Sequence, residues 1–360
     1  MKICVFGTRG FPNIQGGVEK HCENLYTHMP NDIKFDVCRR KSYVTTNTTF
    51  PNINFVDISN TQKRGLEAAF HSLASAFYAI KTKPDAVHIH NIGPGMTAPL
   101  LKLFGIKTVL TYHSANYEHE KWNGPEKLIL RFCEHIALKY SDRIIFVNKE
   151  QMGKYSAKIQ AKSSYIPNGV NPPINTNDTS FLKQFGLEKG KYIISVGRIT
   201  PEKGFDKLIE AFYKSDIKNE YKLAIVGGVE FENEYKKQLD DLIQDDKVVF
   251  TGYACGENLA ELYKNARLYV LSSFNEGFPL VLLEAMSYNL DIIASDISAA
   301  KLVKLDDSDY YPPSDTNELA KKINQKVLSD FHNKKYDLSE YDWKKIADKT
   351  ASIYKEMLHN

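Results

Sequence analysis

Two carboxylates stand eight positions apart in Ser273-Phe-Asn-Glu-Gly-Phe-Pro-Leu-Val-Leu-Leu-Glu-Ala-Met286, a stretch that is otherwise almost wholly apolar. Pro279 suits the first turn of a helix, because its missing N–H would be unpaired there anyway. Leu280, Val281, Leu282, Leu283, Ala285 and Met286 cover nearly every side of that helix, which predicts its burial. A buried Glu284 needs a partner, since burying an unpaired charge costs several kcal/mol or forces neutralisation. Either the protein or a polar ligand supplies that partner. Glu276 and Gly277 fall in the loop at the helix N-terminus.

Cations follow a similar pattern in Ser195-Val-Gly-Arg-Ile-Thr-Pro-Glu-Lys-Gly-Phe205. A strand ends in Gly197, and Arg198 and Lys203 flank the loop before a helix. Two cations at the carboxyl end of a strand suit a pair of phosphates, where a metal would otherwise be needed. Singly, each would read as a solvated loop charge. A third stretch, Gly7-Thr-Arg-Gly-Phe-Pro-Asn-Ile-Gln-Gly-Gly-Val-Glu19, also joins a strand to a helix. Gly16 and Gly17 allow close backbone approach, and the helix N-terminus offers free N–H groups to an anion. The stretch is neither Gly-x-Gly-x-x-Gly nor a Walker loop, and alone it reads equally well as a plain glycine turn.

Histidines supply the remaining candidates. His113, in Val109-Leu-Thr-Tyr-His-Ser114, is expected at the tip of a buried strand, where a core histidine is the plainer interpretation. His88 and His90 share one face of Val87-His-Ile-His-Asn91, which imitates a metal pair. No third ligand is apparent, so no metal is expected. His90 and Asn91 stand at a strand end, in reach of a substrate.

The elements that must position these residues alternate along the chain. Short β-rich apolar runs fall at 2–6, 35–38, 53–56, 86–89, 108–112, 143–147 and 164–166, then at 192–196, 222–226, 248–251, 268–271 and 292–294. Helical patterns separate them near 18–29, 66–81, 95–104, 125–140 and 149–160, then near 203–214, 232–244, 256–265, 279–288 and 315–328. Such alternation predicts two successive α/β units with parallel sheets and helices on both faces. The boundary is placed at Tyr165-Ile-Pro-Asn-Gly-Val-Asn-Pro-Pro173, poor material for helix or strand. The expected domains are 1–168 and 169–335, with a terminal amphipathic helix over 336–360 packing back onto the first. Ligands of open α/β sheets bind at the carboxyl ends of strands, so two such domains facing one another would make a cleft.

Composition removes several classes. The chain has 360 residues, enough for two domains with proper cores. Its 47 basic and 44 acidic residues give no global nucleic-acid signature. No signal pattern and no run of about 18 apolar residues is present. Five scattered cysteines with no Cys-x2-Cys pair argue against zinc and for a reducing cytoplasm.

Taken together, Gly16-Gly17, Arg198 with Lys203, and Glu276-x7-Glu284 resemble the family-4 retaining glycosyltransferases of the GT-B fold, over essentially the whole chain. The Gly-Thr-Arg-Gly-Phe-Pro opening with Gly-Gly-Val-Glu resembles the bacterial surface-polysaccharide, rhamnosyltransferase-like branch. This resemblance implies an α/β protein of two Rossmann-like domains facing each other across a deep cleft. It implies transfer from a nucleoside-diphosphate sugar to a hydroxyl of a sugar or lipid-linked saccharide, with retention and without a metal or other cofactor. Glu284 would accept hydrogen bonds from the donor ribose, and Glu276 would lie beside the transferred sugar. Backbone N–H groups of Gly277 to Leu280 would hold sugar hydroxyls and phosphate, with Phe278 and Pro279 in that loop. Arg198 and Lys203, beside Gly197, would neutralise the diphosphate. The base would lie near Gly252-Tyr253. His113 would stand near the sugar on the acceptor side, with Arg9, Glu19, His90, Asn91 and Tyr117 in the acceptor site. Catalysis would therefore fall to Glu276, His113, Arg198 and Lys203.

The chain departs from the family at Ser295-Asp-Ile-Ser-Ala-Ala-Lys-Leu302, where many relatives carry Asn or Gly-Gly and a Glu but Ala300 and Leu302 stand here. Asp307-Ser-Asp309 imitates the metal-binding Asp-x-Asp of the other glycosyltransferase fold and is expected to be solvated surface. A sugar-nucleotide epimerase would convert donor with no acceptor present, and a secreted sugar-binding protein should carry a signal sequence. A pyridoxal phosphorylase would need a Schiff-base lysine that no motif nominates. A lipid-linked acceptor would bring the enzyme to the inner face of the membrane. Lys63, Arg64, Arg39, Arg40 and Lys41, with the apolar Phe70, Leu73, Phe77 and Tyr78, read either as an ordinary core helix with solvated flanking charges or as a basic docking surface for anionic lipid.

Overall fold

The computed structural model describes residues 1–359 apart from 45, 47, 60, 62–65, 116, 118–123, 230–233 and 330–333. The chain divides into two compact units, Met1–Gly169 with Glu340–Asn360, and Val170–Ser339.

The first unit holds seven strands: β1 (Lys2–Phe6), β2 (Lys34–Arg40), β3 (Ile53–Ile58), β4 (Ala86–His90), β5 (Lys107–Tyr112), β6 (Arg143–Phe146) and β7 (Ser163–Tyr165). They form one sheet in the order β3-β2-β1-β4-β5-β6-β7. All its pairings are parallel. Its helices are α1 (Gly17–Thr27), α2 (Glu67–Thr82), α3 (Ile92–Gly95), α4 (Ala98–Leu103), α5 (Gly124–Tyr140), α6 (Lys149–Gly153) and α7 (Ala157–Gln160). The periods expected over 95–104 and 149–160 are each broken in two. Gly93, Pro94 and Gly95 weaken the first and Gly153 closes the second, as poor helix formers do.

The second unit holds α8 (Ser180–Gln184), β8 (Tyr192–Val196), α9 (Phe205–Lys214), β9 (Lys222–Val226), α10 (Glu234–Leu242), β10 (Val248–Gly252) and α11 (Gly256–Asn265). It continues with β11 (Leu268–Leu271), α12 (Leu280–Ser287), β12 (Asp291–Ser295), α13 (Ser298–Lys301), β13 (Tyr310–Tyr311) and α14 (Thr316–Leu328). Its parallel sheet runs β10-β9-β8-β11-β12-β13. Helix α15 (Trp343–His359) belongs to the first unit, where it packs on α1 and β5. In both sheets the chain works outward from one strand and then reverses, β1 beside β4 and β8 beside β11. That reversal opens a crevice at the carboxyl ends of the two neighbouring strands.

Each sheet is buried as its apolar runs require. Val87, Ile89, Leu110 and Phe146 lie in the core of the first unit; Ile193, Ile225, Val270 and Ile293 lie in that of the second. Close strand packing explains Gly7, whose φ is +108°: a Cβ there would lie 2.1 Å from the carbonyl oxygen of His90.

Asp309 corrects the expectation of solvated surface. It is fully buried and meets Lys326 Nζ at 2.5 Å and Lys334 Nζ at 2.8 Å. A buried carboxylate between two lysines is a structural tie, holding β13 to α14 and the segment beyond it. Asp309→Ala is expected to cost about 2 kcal/mol, below the 3–5 kcal/mol of a fully buried pair, because the abandoned lysines reach water. Urea denaturation would register it, and a variant as stable as the parent would show that the tie carries nothing.

Candidate functional site

The second unit builds its site where β8 and β11 lie side by side. Lys203 Nζ meets Glu276 Oε1 at 2.5 Å, and Ser273 Oγ donates to the same oxygen at 2.7 Å. Both members of the pair are shielded, Lys203 15% and Glu276 13% exposed. The two loops are laced together by backbone. Ser272 Oγ donates to the Lys203 carbonyl at 2.8 Å and the Phe274 N–H to the Glu202 carbonyl at 2.9 Å. Ser295 Oγ, from β12, donates to the Ser273 carbonyl at 2.6 Å. Helix α9 starts only at Phe205, later than the periodicity suggests. Gly204 is left-handed with φ +62°, and a Cβ there would stand 2.3 Å from the Ser272 carbonyl oxygen. The Lys203 stem also passes over Gly197, where a Cβ would meet it at 3.2 Å. Arg198 follows Gly197 and is half-buried.

Pro279 occupies the cap before α12 rather than its first turn, and the helix begins at Leu280. Phe278 is buried and Gly277 half-buried in the same loop. Pro279 has no N–H, so the donors of this loop are Gly277, Phe278 and Leu280. Glu284 is half-buried rather than buried, and the protein does give it a partner: Tyr263 OH donates to its Oε2 at 3.1 Å. Burial and the neighbouring Glu284 push the Tyr263 phenol well up, so it stays protonated and donating. Tyr269 is fully buried on β11, and its hydroxyl has no hydrogen-bond partner. Burial raises its ionisation, and the charges of Glu276 and Glu284 raise it further. Tyr253 stands exposed after β10.

The first unit builds its site where β1 and β4 lie side by side. Here the structure gathers histidines that the sequence scatters. His90 Nδ1 and His113 Nε2 are 2.9 Å apart, and His90 Nε2 meets Tyr26 OH at 2.7 Å. His88 is held by Tyr26 OH, Tyr354 OH and Thr111 Oγ1. His21, from α1, joins them: its Nδ1 lies 2.7 Å from Asn168 Oδ1, while its buried Nε2 has no hydrogen-bond partner. Asn168 Oδ1 accepts, so Nδ1 carries the proton and Nε2 a lone pair. The expectation that His88 and His90 find no third ligand is corrected here: the structure brings His21 and His113 to His90, and nitrogens of these three lie within 4.8 Å of one another. Burial dominates their protonation. It lowers His21 to about 4 and His88 to about 3, and holds His90 and His113 well below the usual imidazole range.

The other residues assigned to the acceptor are engaged with the protein. Glu19 folds back over the start of α1, where its Oε1 accepts from the Arg9 N–H at 3.1 Å. A Cβ on Gly16, at φ +153°, would lie 2.0 Å from Glu19 Oε2, so the glycine admits this carboxylate; Gly17 is unencumbered. The Arg9 guanidinium lies over the Tyr43 ring. Asn91 has φ +73° and donates to the Gly7 carbonyl at 3.1 Å. Tyr117 OH donates to Glu134 at 3.4 Å. Arg39 and Arg40 are buried rather than offered to lipid, Arg39 bidentate on Asp57 and Arg40 beside Glu67. Tyr78 turns inward to Asp36, and Lys63 and Arg64 lie outside the described residues. Sequence reasoning missed His21, Tyr26, Asn168, Tyr263 and Tyr269. Only His21 carried a signal, four residues beyond Gly17 on the α1 face that also carries Leu25.

Known proteins share this organisation. The family described as "Glycosyltransferase Family 4" matches residues 15–173, and "Glycosyl transferases group 1" matches residues 177–345, leaving 174–176 between them. A sucrose-phosphate synthase from Thermosynechococcus elongatus superposes with a TM-score of 0.79 at 19% identity, covering 99% of each chain. The Escherichia coli UDP-Gal:alpha-D-GlcNAc-diphosphoundecaprenol alpha-1,3-galactosyltransferase is 27% identical over 80% of each chain. The amylovoran biosynthesis glycosyltransferase AmsD of Erwinia amylovora is 24% identical over 75% of each. Two all-parallel units of this topology, with loops of this kind at both strand reversals, define a glycosyltransferase of the GT-B fold. The chain belongs to family 4 of those enzymes.

Proposed function

We propose that the enzyme moves a sugar from a nucleoside-diphosphate donor to a hydroxyl of a sugar or lipid-linked saccharide, with retention, in surface polysaccharide synthesis. The observation that carries this proposal is the Lys203–Glu276 contact at the β8–β11 reversal. An anionic oxygen already sits against a shielded lysine there, where a phosphate oxygen would be received. Arg198, at the end of the same strand, supplies the second cation. The galactosyltransferase relative adds support, since its name joins a UDP-sugar to a diphosphoundecaprenol acceptor. By the same analogy the enzyme works at the inner face of the membrane.

Lys203 and Arg198 offset the charge that develops on the diphosphate as the bond from the anomeric carbon to the phosphate oxygen breaks. The acceptor oxygen bonds to the same face of that carbon, and its proton passes to the departing phosphate. Glu284, held by Tyr263, takes the ribose hydroxyls, and Tyr253 lies against the base. Glu276 stands beside the sugar once Lys203 turns to phosphate. The neutral His113 and the His21 lone pair accept hydrogen bonds from sugar hydroxyls.

No divalent metal has a part in these steps. EDTA is therefore expected to leave the rate within about twofold, because side-chain cations do the work a metal would do. The assay is nucleoside-diphosphate release, run with and without acceptor over a panel of sugar nucleotides. Loss of activity on chelation with recovery in Mg²⁺ or Mn²⁺ would overturn the charge balance. Donor conversion without acceptor would instead indicate an epimerase.

A further inference from the structure

Helix α2 is inside out for a protein in water. It buries His71, Ser72, Ser75, Ala76 and Ala79 and exposes Phe70, Leu73 and Phe77. These three large side chains recur at helical spacing and form one outward stripe, with Leu66 at its start. Helix α5 repeats the pattern, burying Cys133, Ala137 and Leu138 and exposing Leu128, Ile129 and Phe132. Between them, Leu103 at the end of α4 is 82% exposed and Phe104 follows it. Helix α2 packs beside α3 and α4, and α4 beside α5, so these facets belong to one layer. Among the described residues, every exposed large hydrophobic of the first unit lies in this layer or its connections, from Leu66 to Phe132. The second unit has five, spread from Ile174 to Leu328. Soluble surfaces rarely concentrate apolar side chains in this way unless a partner covers them.

The charges around the layer indicate which partner. From Leu66 to Tyr140, the exposed charged residues described are Lys81, Lys83, Lys102, Lys107, Arg131 and Lys139 against the single carboxylate Asp85. Burial lowers Lys162, and the nearby Lys102 and Lys158 lower it further against the opposing carboxylate of Asp142, which lies 3.9 Å from Lys102. A second copy of this chain would set these cations against one another. An apolar face rimmed by cations instead matches a bilayer interface, with acyl chains for the phenylalanines and anionic headgroups for the lysines. No described helix is long and apolar enough to cross a membrane, so attachment would be peripheral.

We propose that the outer face of α2, α4 and α5 docks the enzyme on an anionic phospholipid bilayer. This face is defined without reference to the transfer reaction, and its test needs no substrate. The full chain is sedimented with vesicles of phosphatidylcholine, alone or mixed with phosphatidylglycerol, across a salt series. Binding is expected on the mixed vesicles, weakening as salt rises. Leu128→Gln/Ile129→Gln/Phe132→Gln is expected to bind at least about tenfold more weakly at any salt, since each buried large side chain contributes roughly a tenfold factor or more. Lys102→Glu/Lys139→Glu should weaken binding roughly fivefold or more per lysine, at low salt only. Circular dichroism and the Tm certify folding, and Phe70→Gln/Phe77→Gln on α2 substitutes if the triple variant does not fold. Activity on a short water-soluble acceptor should stay unchanged in all three, which separates a failed surface from a failed assignment of the reaction. Equal binding by wild type and the folded apolar variant overturns the proposal, as does no binding to mixed vesicles. So does a dimer in sedimentation equilibrium that the same substitutions dissolve, because the face would then belong to a second copy.

Discussion

Lys203→Ala is expected to lower kcat by roughly a hundred- to a thousandfold while the second unit remains folded, the usual cost of removing one pre-placed stabiliser of developing charge. The substitution leaves Glu276 with Ser273 as partner and Arg198 as the one assigned counter-charge to the diphosphate. Arginine should rescue little. The compact ammonium of Lys203 meets Glu276 Oε1 as a point charge, which a planar guanidinium on a longer stem would not reproduce. Glu284→Ala acts on binding instead. Its ribose hydrogen bonds are charge-assisted, so donor affinity should fall by about 1.5–3 kcal/mol. Thermal shift against a panel of nucleoside diphosphates identifies the ligand first, because a hundredfold excess over Kd adds about 2.7 kcal/mol. Calorimetry then compares the variants. Wild-type affinity in Glu284→Ala would remove the donor pocket from the second unit.

Acid should unfold the first unit well before the second. His21, His88, His90 and His113 are all depressed, chiefly by burial. Their hydrogen-bond partners outside the cluster, Tyr26, Tyr354, Thr111 and Asn168, include no carboxylate. The unfolded chain therefore takes up protons near pH 6.5 that the folded unit refuses. Stability is complete above that value and falls with pH toward about 4, where His21 titrates, and about 3, where His88 does. Each excluded proton costs about 1.4 kcal/mol per pH unit, so His21 and His88 alone forfeit about 4 kcal/mol by pH 5, and His90 and His113 add to that loss. That is comparable with the stability of a whole domain. Trp343, its ring 5.6 Å from that of His21, reports the transition. The second unit contains one histidine, His332, and should melt at nearly the same temperature between about pH 7 and pH 5, above the range where its carboxylates take up protons. An equally flat profile for Trp343 would show that the cluster is not held neutral.

The α/β alternation was legible because its signals are local. Strands β8, β9 and β11 are largely apolar, broken only by Ser195 and opened by Lys222, and their limits follow the expected runs residue for residue. The short α8, α13 and β13 were not legible, since four or five residues or fewer complete no period. The site was legible as residue types but not as pairings. Nothing local announces that Tyr263 serves Glu284, or that Tyr354 reaches back across 266 positions to His88. Asp309 was misjudged for the same reason: a polar turn gave no sign of two lysines arriving from downstream.

The first unit is interrupted in sequence by the whole of the second, and this has a consequence for synthesis. A ribosome delivers residues 1–169 early, but residues 340–359 come only after 170 more. Until then the indole of Trp343 is missing from above Gly169, where a Cβ would lie 2.6 Å from it, and His88 lacks Tyr354. Domains commonly mature in the order in which they are made. Here the later-made unit can finish first, while the earlier one waits for α15 with an open core. A premature stop shortly before Trp343 would thus spare the cation loop and lose the histidine cluster, the half of the enzyme that was translated first.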